Sequence, residues 1–432
     1  MRTLKEGRFY YTLGSFLGLA LISQPVGAAG FQMILQNASS LGTAYAGTAA
    51  VAEDASANYY GTAGLTRLPN EQIAFGGVLS IPQTKLNVTS ATSTFGTPLT
   101  PSTGTAKPSS NGVLPFLHYA KRIDDNWHFG FSVAVPFGSK ANYKNDSIAR
   151  YTTTRAEMKT IDLAPSLAYR FNNGLSLGGG VDALNMLTKI DTRIGTGNVN
   201  TDGFSENTYR NWGLGYHVGG LYEVSDCTRF GVQYHSKITV KTQGESVTQF
   251  AVGAPVTTVG LKANFDLPDT SILSAYHALN DQWAVMADLQ WTHWARFKQL
   301  VTRFDNGTQL ILNERYKNVY RVAAGGSYQY NDPWRFRFGV MFDQSPVPDA
   351  NRNIFIPNQN RILPAIGAQY RICKTLALDF GYAHIFFKKD KNLNVVAPTV
   401  AGIVPAPAQN LQGSIKNRLD AIGLQLTWDI EP

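Results

Sequence analysis

Charge is scarce in this sequence. Lys, Arg, Asp and Glu make up 16% of its 432 residues, where about 25% is usual for a soluble domain. Cysteine is nearly missing: Cys227 and Cys373 are the only two, too few for a disulfide framework. Each sits beside a short turn, Ser225-Asp226 or Lys374-Thr375, and they read as two independent small side chains. No apolar run beyond the N-terminus approaches the roughly 20 residues that a membrane-crossing helix needs. The net charge of +8 is spread out, without a Lys/Arg block, so no nucleic-acid partner is expected. The seven histidines are scattered without metal-ligand spacing, and neither Gly-x-Ser-x-Gly nor a phosphate loop occurs. These absences point away from an enzyme, a cofactor and a bound metal.

Aromatic residues are plentiful, with 20 Tyr and 23 Phe, which suits strands and the girdles of a membrane barrel. Residues 1–28 have the form of a secretory signal. Arg2, Lys5 and Arg8 form a basic start, Thr12 to Ile22 is mostly apolar, and Val26-Gly27-Ala28 supplies small residues for cleavage before Ala29. Ala29 to about residue 70 is rich in Ala, Gly and Ser and lacks strand alternation. Phe31, Met33, Ile34, Leu35 and Tyr45 are too apolar for a solvated linker, so a compact segment held inside something larger is expected.

From Gln72 onward the chain alternates between apolar-patterned runs and turns. The most regular run is Trp334 to Asp343. Trp334, Phe336, Phe338, Val340 and Phe342 share one parity, and Arg335, Arg337, Gly339, Met341 and Asp343 the other. A strand sends successive side chains to opposite faces, so one face is aromatic and the other carries charge. The last run repeats the pattern, with Ile422, Leu424, Leu426 and Trp428 against Ala421, Gly423, Gln425 and Thr427. About fourteen such runs fill residues 71–432. Short turns (Asp124–Asn126, Asn172–Gly174, Asn280-Asp281, Asn331–Pro333) alternate with long polar loops, among them Thr89 to Asn111 and Gly195 to Arg210. That asymmetry and the even strand number predict an all-β antiparallel barrel of about fourteen strands in the outer membrane of a Gram-negative cell.

The stretches Tyr316-Lys-Asn-Val-Tyr-Arg321, Trp334-Arg-Phe-Arg-Phe-Gly339, Asp343-Gln-Ser-Pro-Val-Pro348, Ile356-Pro-Asn-Gln-Asn-Arg361 and Trp291-Thr-His-Trp-Ala-Arg296 resemble the FadL family of outer-membrane transporters of hydrophobic compounds. So does the start Ala29-Gly-Phe-Gln32 with Gly42-Thr-Ala-Tyr-Ala-Gly47. The resemblance implies a fourteen-stranded barrel plugged by an N-terminal hatch, with passive uptake of a hydrophobic ligand, typically a long-chain fatty acid, past the hatch and out sideways at a kinked third strand. That strand holds Pro136, Phe137 and Gly138 here, and a proline independently marks a break because it removes a ladder donor. Two departures stand out. Gly61-Thr62-Ala63 replaces the family's Asn-Pro-Ala in the hatch, and Trp428 is followed by Asp-Ile-Glu-Pro432 rather than ending the chain.

A fatty-acid pocket needs apolar walls and a cation for the carboxylate. Lys317 is the family-matched candidate, and Arg321, four residues on with the same parity, is expected in the same strand. Asp162 and Arg170 occupy the parity expected inward in their strand, and Lys189 and Arg193 in the next are further candidates to face the lumen. Each would otherwise be an ordinary lumen charge paired with a carboxylate. The resemblance also places Phe31 at the inner pocket. Alternatives within the same fold are uptake of aromatic hydrocarbons, and a surface adhesin or receptor acting through its loops. The expected partners are hydrophobic small molecules and outer-membrane lipid, with a monomer as the expected state.

Overall fold

The period-two runs form long antiparallel strands. The structure, a computed structural model, describes residues 30–93, 97–195, 198–356, 358–388, 390–395, 399–401 and 409–431. The expected signal segment, Ala29 and Pro432 lie outside the described residues. Fourteen strands close into one barrel. They are β1 (Glu71–Ser93), β2 (Gly112–Arg122), β3 (Trp127–Ala134, resuming at Gly138–Asn142), β4 (Arg155–Arg170), β5 (Leu175–Ile194), β6 (Asp202–Ser225) and β7 (Thr228–His235 with Ile238–Ala251). The second half comprises β8 (Val256–Leu267 with Thr270–Ala278), β9 (Trp283–Thr292 with Gln299–Phe304), β10 (Gln309–Asn313 with Val319–Gln329), β11 (Trp334–Asp343), β12 (Arg361–Cys373), β13 (Leu376–Phe387 with Asp390–Val395) and β14 (Gln409–Glu431). β14 closes the barrel by pairing along β1, from Glu71↔Glu431 up to Ser93↔Gln409. Closure leaves no sheet edge unpaired in lipid.

The parity reading holds where alternation was strongest. On β11 Phe338 is 45% exposed and faces outward, while Arg337 beside it is 4% exposed and faces the lumen. On β14 Leu424 and Trp428 face out, and Ala421 and Gln425 in. Two polar stretches read as loops are partly strand. β6 begins at Asp202, because its polar residues pair with β5 and β7 above the membrane, and β1 runs on to Ser93 with the short strand Gly104–Ala106 beside it. Cys227 and Cys373 are both exposed and unbridged.

Residues 30–68 fill the lumen as short helical pieces, Ser40–Thr43, Thr48–Val51, Ala57–Tyr60 and Thr62–Arg67. Their small side chains let backbone lie against backbone. A Cβ on Gly231 of β7 would sit 2.0 Å from the Ala49 carbonyl oxygen, so only glycine fits there. Polar wall residues finish the hatch's hydrogen bonds. The Asp288 carboxylate accepts from the Thr48 hydroxyl (2.6 Å) and amide (3.1 Å). Arg229 donates to the carbonyls of Ala50 (2.5 Å) and Val51 (2.7 Å). Glu53 meets Arg335 (3.1 Å) and Arg337 (2.8 Å), and Arg337 continues to Asp379 (2.6 Å). Burial by itself would raise the Glu53 carboxyl, but Arg335, Arg337 and Arg229 outweigh it and hold it at about 2.

Candidate functional site

The third strand breaks at Pro136. Below the break, β2 and β3 pair from Arg122↔His128 to Leu117↔Val133. Above it, Gly138–Asn142 pairs with β4, and among the described residues β2's side is rejoined only by the isolated bridge Ser109↔Asn142. The intervening wall, Gly112–Phe116 against Ala134–Ala141, has no ladder between β2 and β3 among the described residues. The freed backbone groups are met from inside. The amide of Met33 donates to the Pro136 carbonyl (2.8 Å), and the amide of Gly138 to the Phe31 carbonyl (2.7 Å). The Gln36 side chain serves both backbone groups of Val135. The first described residues of the chain therefore stand in for the missing strand partner.

Phe31 is fully buried and seated in an aromatic pocket. Its ring centroid lies 4.7 Å from Trp294, 5.3 Å from Phe297 and 6.1 Å from Phe137, distances at which edge-to-face packing adds about 0.5–1.5 kcal/mol per pair. Tyr316 closes the pocket against Trp294 and Phe297. Gly30 adopts φ +62°, and a Cβ there would lie 2.6 Å from the Trp294 ring, so a larger residue would lift the segment off its seat.

Beside this segment lies a cavity of ≈ 50 Å³ between the hatch, the kink and the wall. That space holds a few waters, far less than a fatty-acid chain. Met33, Phe137, Leu184, Ile238 and Ile272 give it apolar walls. Arg321 projects into it from β10, 4% exposed, and its Nε and Nη1 have no hydrogen-bond partner among the described residues. A buried guanidinium with unfilled donors is costly unless an anion completes it.

The other side of the cavity is acidic. Asp162 and Asp182 line it, and Asp162 Oδ1 likewise has no partner among the described residues. Asp182 accepts from His217 Nδ1 (2.7 Å), and His217 Nε2 lies 2.9 Å from Ser166 Oγ. This is the order of a nucleophile, base and orienting carboxylate. Ser166 and His217, however, do not line the cavity, so cargo there does not reach the hydroxyl. His235 Nε2 donates to the Tyr59 carbonyl (3.0 Å), and the ligand atoms of Asp182, His217 and His235 all lie within 4.8 Å of one another. Both His217 nitrogens are occupied, so the cluster as it stands is a hydrogen-bonded network. Sequence reasoning singled out only Asp162 of this group; Ser166 shares its strand, whereas Asp182, His217 and His235 come from β5, β6 and β7 and meet it only after closure.

The remaining site expectations sort by parity. Arg321 lies inside, but Lys317 does not share its strand. Residues 314–318 leave the ladder, Arg315 takes φ 47°, and β10 resumes only at Val319. Lys317 is exposed there, its amide bonded to the Pro346 carbonyl (2.9 Å). Lys189 and Arg193 are corrected as well. The inward residues of β5 are Asp182, Leu184, Met186 and Thr188, so 189 and 193 fall on the outer face, as a one-residue offset requires. Gly61, Thr62 and Ala63 lie against β5 and β7. The Thr62 amide donates to Gln233 Oε1 (3.1 Å) and Gln233 Nε2 donates to the Thr62 hydroxyl (3.1 Å).

Comparison with known proteins agrees with the fourteen-strand outer-membrane barrel. The profile of the family described as "Outer membrane protein transport protein (OMPP1/FadL/TodX)" matches residues 19–429. The chain belongs to this family. Like other members it is an outer-membrane protein of a Gram-negative bacterium. The FadL-type chain is 28% identical to a "Long-chain fatty acid transport protein" of Escherichia coli over 411 residues, spanning 87% of this chain and 91% of the relative. The crystal structure of a Pseudomonas aeruginosa FadL homologue shares its fold with a TM-score of 0.83 at 23% identity, covering 93% of this chain and 100% of that one. The Ralstonia pickettii toluene transporter TbuX matches with a TM-score of 0.69 at 17% identity, covering 91% and 99%.

Proposed function

We propose that this FadL-type barrel takes up long-chain fatty acids by passive diffusion, with residues 30–36 as the gate and the break at Pro136 as a lateral way out into the membrane. The observation that carries this reading is Arg321, a buried cation with unfilled donors in a small cavity that has apolar walls beside its acidic side. A carboxylate would supply the missing acceptors, and the acyl chain would displace the N-terminal segment from its aromatic seat. Releasing the hydrogen bonds to Val135, Pro136 and Gly138 costs about 1 kcal/mol each. Burying an alkyl chain returns about 0.8 kcal/mol per methylene, so roughly five methylenes offset the four bonds. Once Phe31 and Met33 withdraw, the wall between β2 and β3 loses its inner seal, and the cargo follows its own gradient outward. No fuel enters the scheme.

The test is retention of labelled oleate by the purified full chain in detergent. Arg321→Gln is expected to reduce affinity about tenfold or more, the loss of a charge-assisted pair. Undiminished retention would remove Arg321 from the reading. The aromatic pocket around Phe31 favours a second reading, uptake of monoaromatic hydrocarbons. Toluene that displaces oleate from wild type, and still binds Arg321→Gln with unchanged affinity, would favour it.

A further inference from the structure

At the outer end of the seam where β1 meets β14 lies an open groove of ≈ 1320 Å³. Five cations line it, Lys85, Lys107, Lys388, Lys416 and Arg418, and no acidic residue does so among the described residues. Lys85 stands directly opposite Lys416 across the two strands, and both have the outward parity. Like charges so placed repel one another. No direct hydrogen bond or close ion pair holds Lys85, Lys416 or Arg418 among the described residues, although Arg418 is attracted by the nearby Asp420 carboxylate. The neighbouring carboxylate, Asp420, is held by Tyr382 Oη (2.9 Å) and His384 Nδ1 (2.7 Å).

The height of the patch says what it meets. Arg418 and Lys416 share their face with Leu424 and Trp428, and Lys416 is twelve residues above Trp428 along β14. At about 3.4 Å per residue and about 40° of tilt this is roughly 30 Å, just past an apolar belt of about 25 Å. The cations therefore sit at the level of the outer leaflet's headgroups, directly above lipid-facing Leu79 and Leu424.

We propose that this groove is a binding site for a phosphorylated glycolipid of the outer leaflet, its phosphates between Lys85, Lys416 and Arg418 and its acyl chains along the wall beneath. Five cations outnumber the single negative charge of a fatty acid. A phosphate carries up to two charges and several acceptor oxygens. A free phosphate would satisfy the cations but not use the adjoining apolar wall. The assignment is independent of the uptake route, since Arg321 lies inside the barrel.

The experiment titrates the purified full chain, in neutral detergent, with a diphosphorylated lipid A-type glycolipid, its dephosphorylated form, inorganic phosphate and oleate. Lys85→Gln/Lys416→Gln/Arg418→Gln is compared with wild type and with Lys262→Gln, an exposed control on β8. Heat-modifiable mobility on gels checks folding. The expected result is about hundredfold weaker binding of the phosphorylated glycolipid by the triple variant, at roughly fivefold per cation, with oleate retention unchanged. Equal affinity of wild type for the dephosphorylated glycolipid overturns the proposal without recourse to any variant. Inorganic phosphate binding as tightly as the lipid overturns it as well. Loss of oleate rather than glycolipid by the triple variant would make the groove part of the uptake route instead.

Discussion

Gln36 holds Val135 by both of its backbone groups: Gln36 Nε2 donates to the Val135 carbonyl (2.6 Å), and the Val135 amide donates to Gln36 Oε1 (2.8 Å). A side-chain amide thus imitates one rung of a β-ladder at the point where the real ladder stops. Replacing it with an apolar residue of similar length leaves two buried groups unmet, at about 1–3 kcal/mol each. Gln36→Leu is therefore expected to raise amide exchange at Val135 and Gly138 by tenfold or more and to speed oleate uptake. Wild-type protection at Val135 in the variant would mean that another group closes the kink.

The ion pairs of Glu53 predict an acid-sensitive hatch. Arg335 and Arg337 hold its carboxyl at about 2 against the raising effect of burial, below an unfolded carboxylate's value near 4.3. A depressed folded value stabilises above the unfolded one and loses that contribution as pH falls through the folded one. Proteolytic resistance of residues 40–68 should thus be flat from pH 8 to about pH 5 and decline from about pH 4 to about pH 2. Glu53→Gln should remove that decline and lower resistance at neutral pH.

Glu314 predicts the opposite slope. It is buried beside Asn353, whose Nδ2 donates to both carboxylate oxygens (3.0 and 3.1 Å). Burial pushes its carboxyl up to about 7, with Asn353 and Tyr316 opposing. The folded protein keeps a proton that the unfolded chain releases, so the contribution is full below about pH 4.5 and is lost as pH rises through about 7. Protection factors, which remove the intrinsic rise of amide exchange with pH, should fall in residues 309–318 and 349–355 between pH 5 and pH 8. Glu314→Gln should be pH-independent there.

Restoring the family's proline to the hatch is expected to harm this chain. In Thr62→Pro the amide that donates to Gln233 disappears along with the hydroxyl that accepts from it. A buried Gln233 left without these partners costs about 1–3 kcal/mol per group. Faster tryptic cleavage at Arg67 would register the loss; cleavage at the wild-type rate would show that β7 does not anchor this turn.

Legibility in the sequence followed how strongly a segment's faces differ. The Trp334–Phe342 alternation left one way to place the strand, and Phe338 and Arg337 occupy the faces it demanded. Lys189 and Arg193 sit in a strand where both parities mix polar and apolar residues, so one position decided lumen against lipid. Lys317 was misplaced because a break at 314–318 interrupts an otherwise strand-like run. The Gln36–Val135 link and the Asp182–His217–Ser166 network join residues 99, 35 and 51 positions apart, and neither leaves a local pattern.

The contact of Gly231 with Ala49 has a consequence for the cell that carries this protein. Where hatch and wall meet backbone to backbone, and two of the spaces flanking the hatch measure only ≈ 20 and ≈ 50 Å³, the described residues leave hydrated solutes no straight bore to follow. Many copies can then stud the surface without making the envelope leaky to detergents, antibiotics or ions. On the proposed route greasy molecules gain passage while the permeability barrier stays intact.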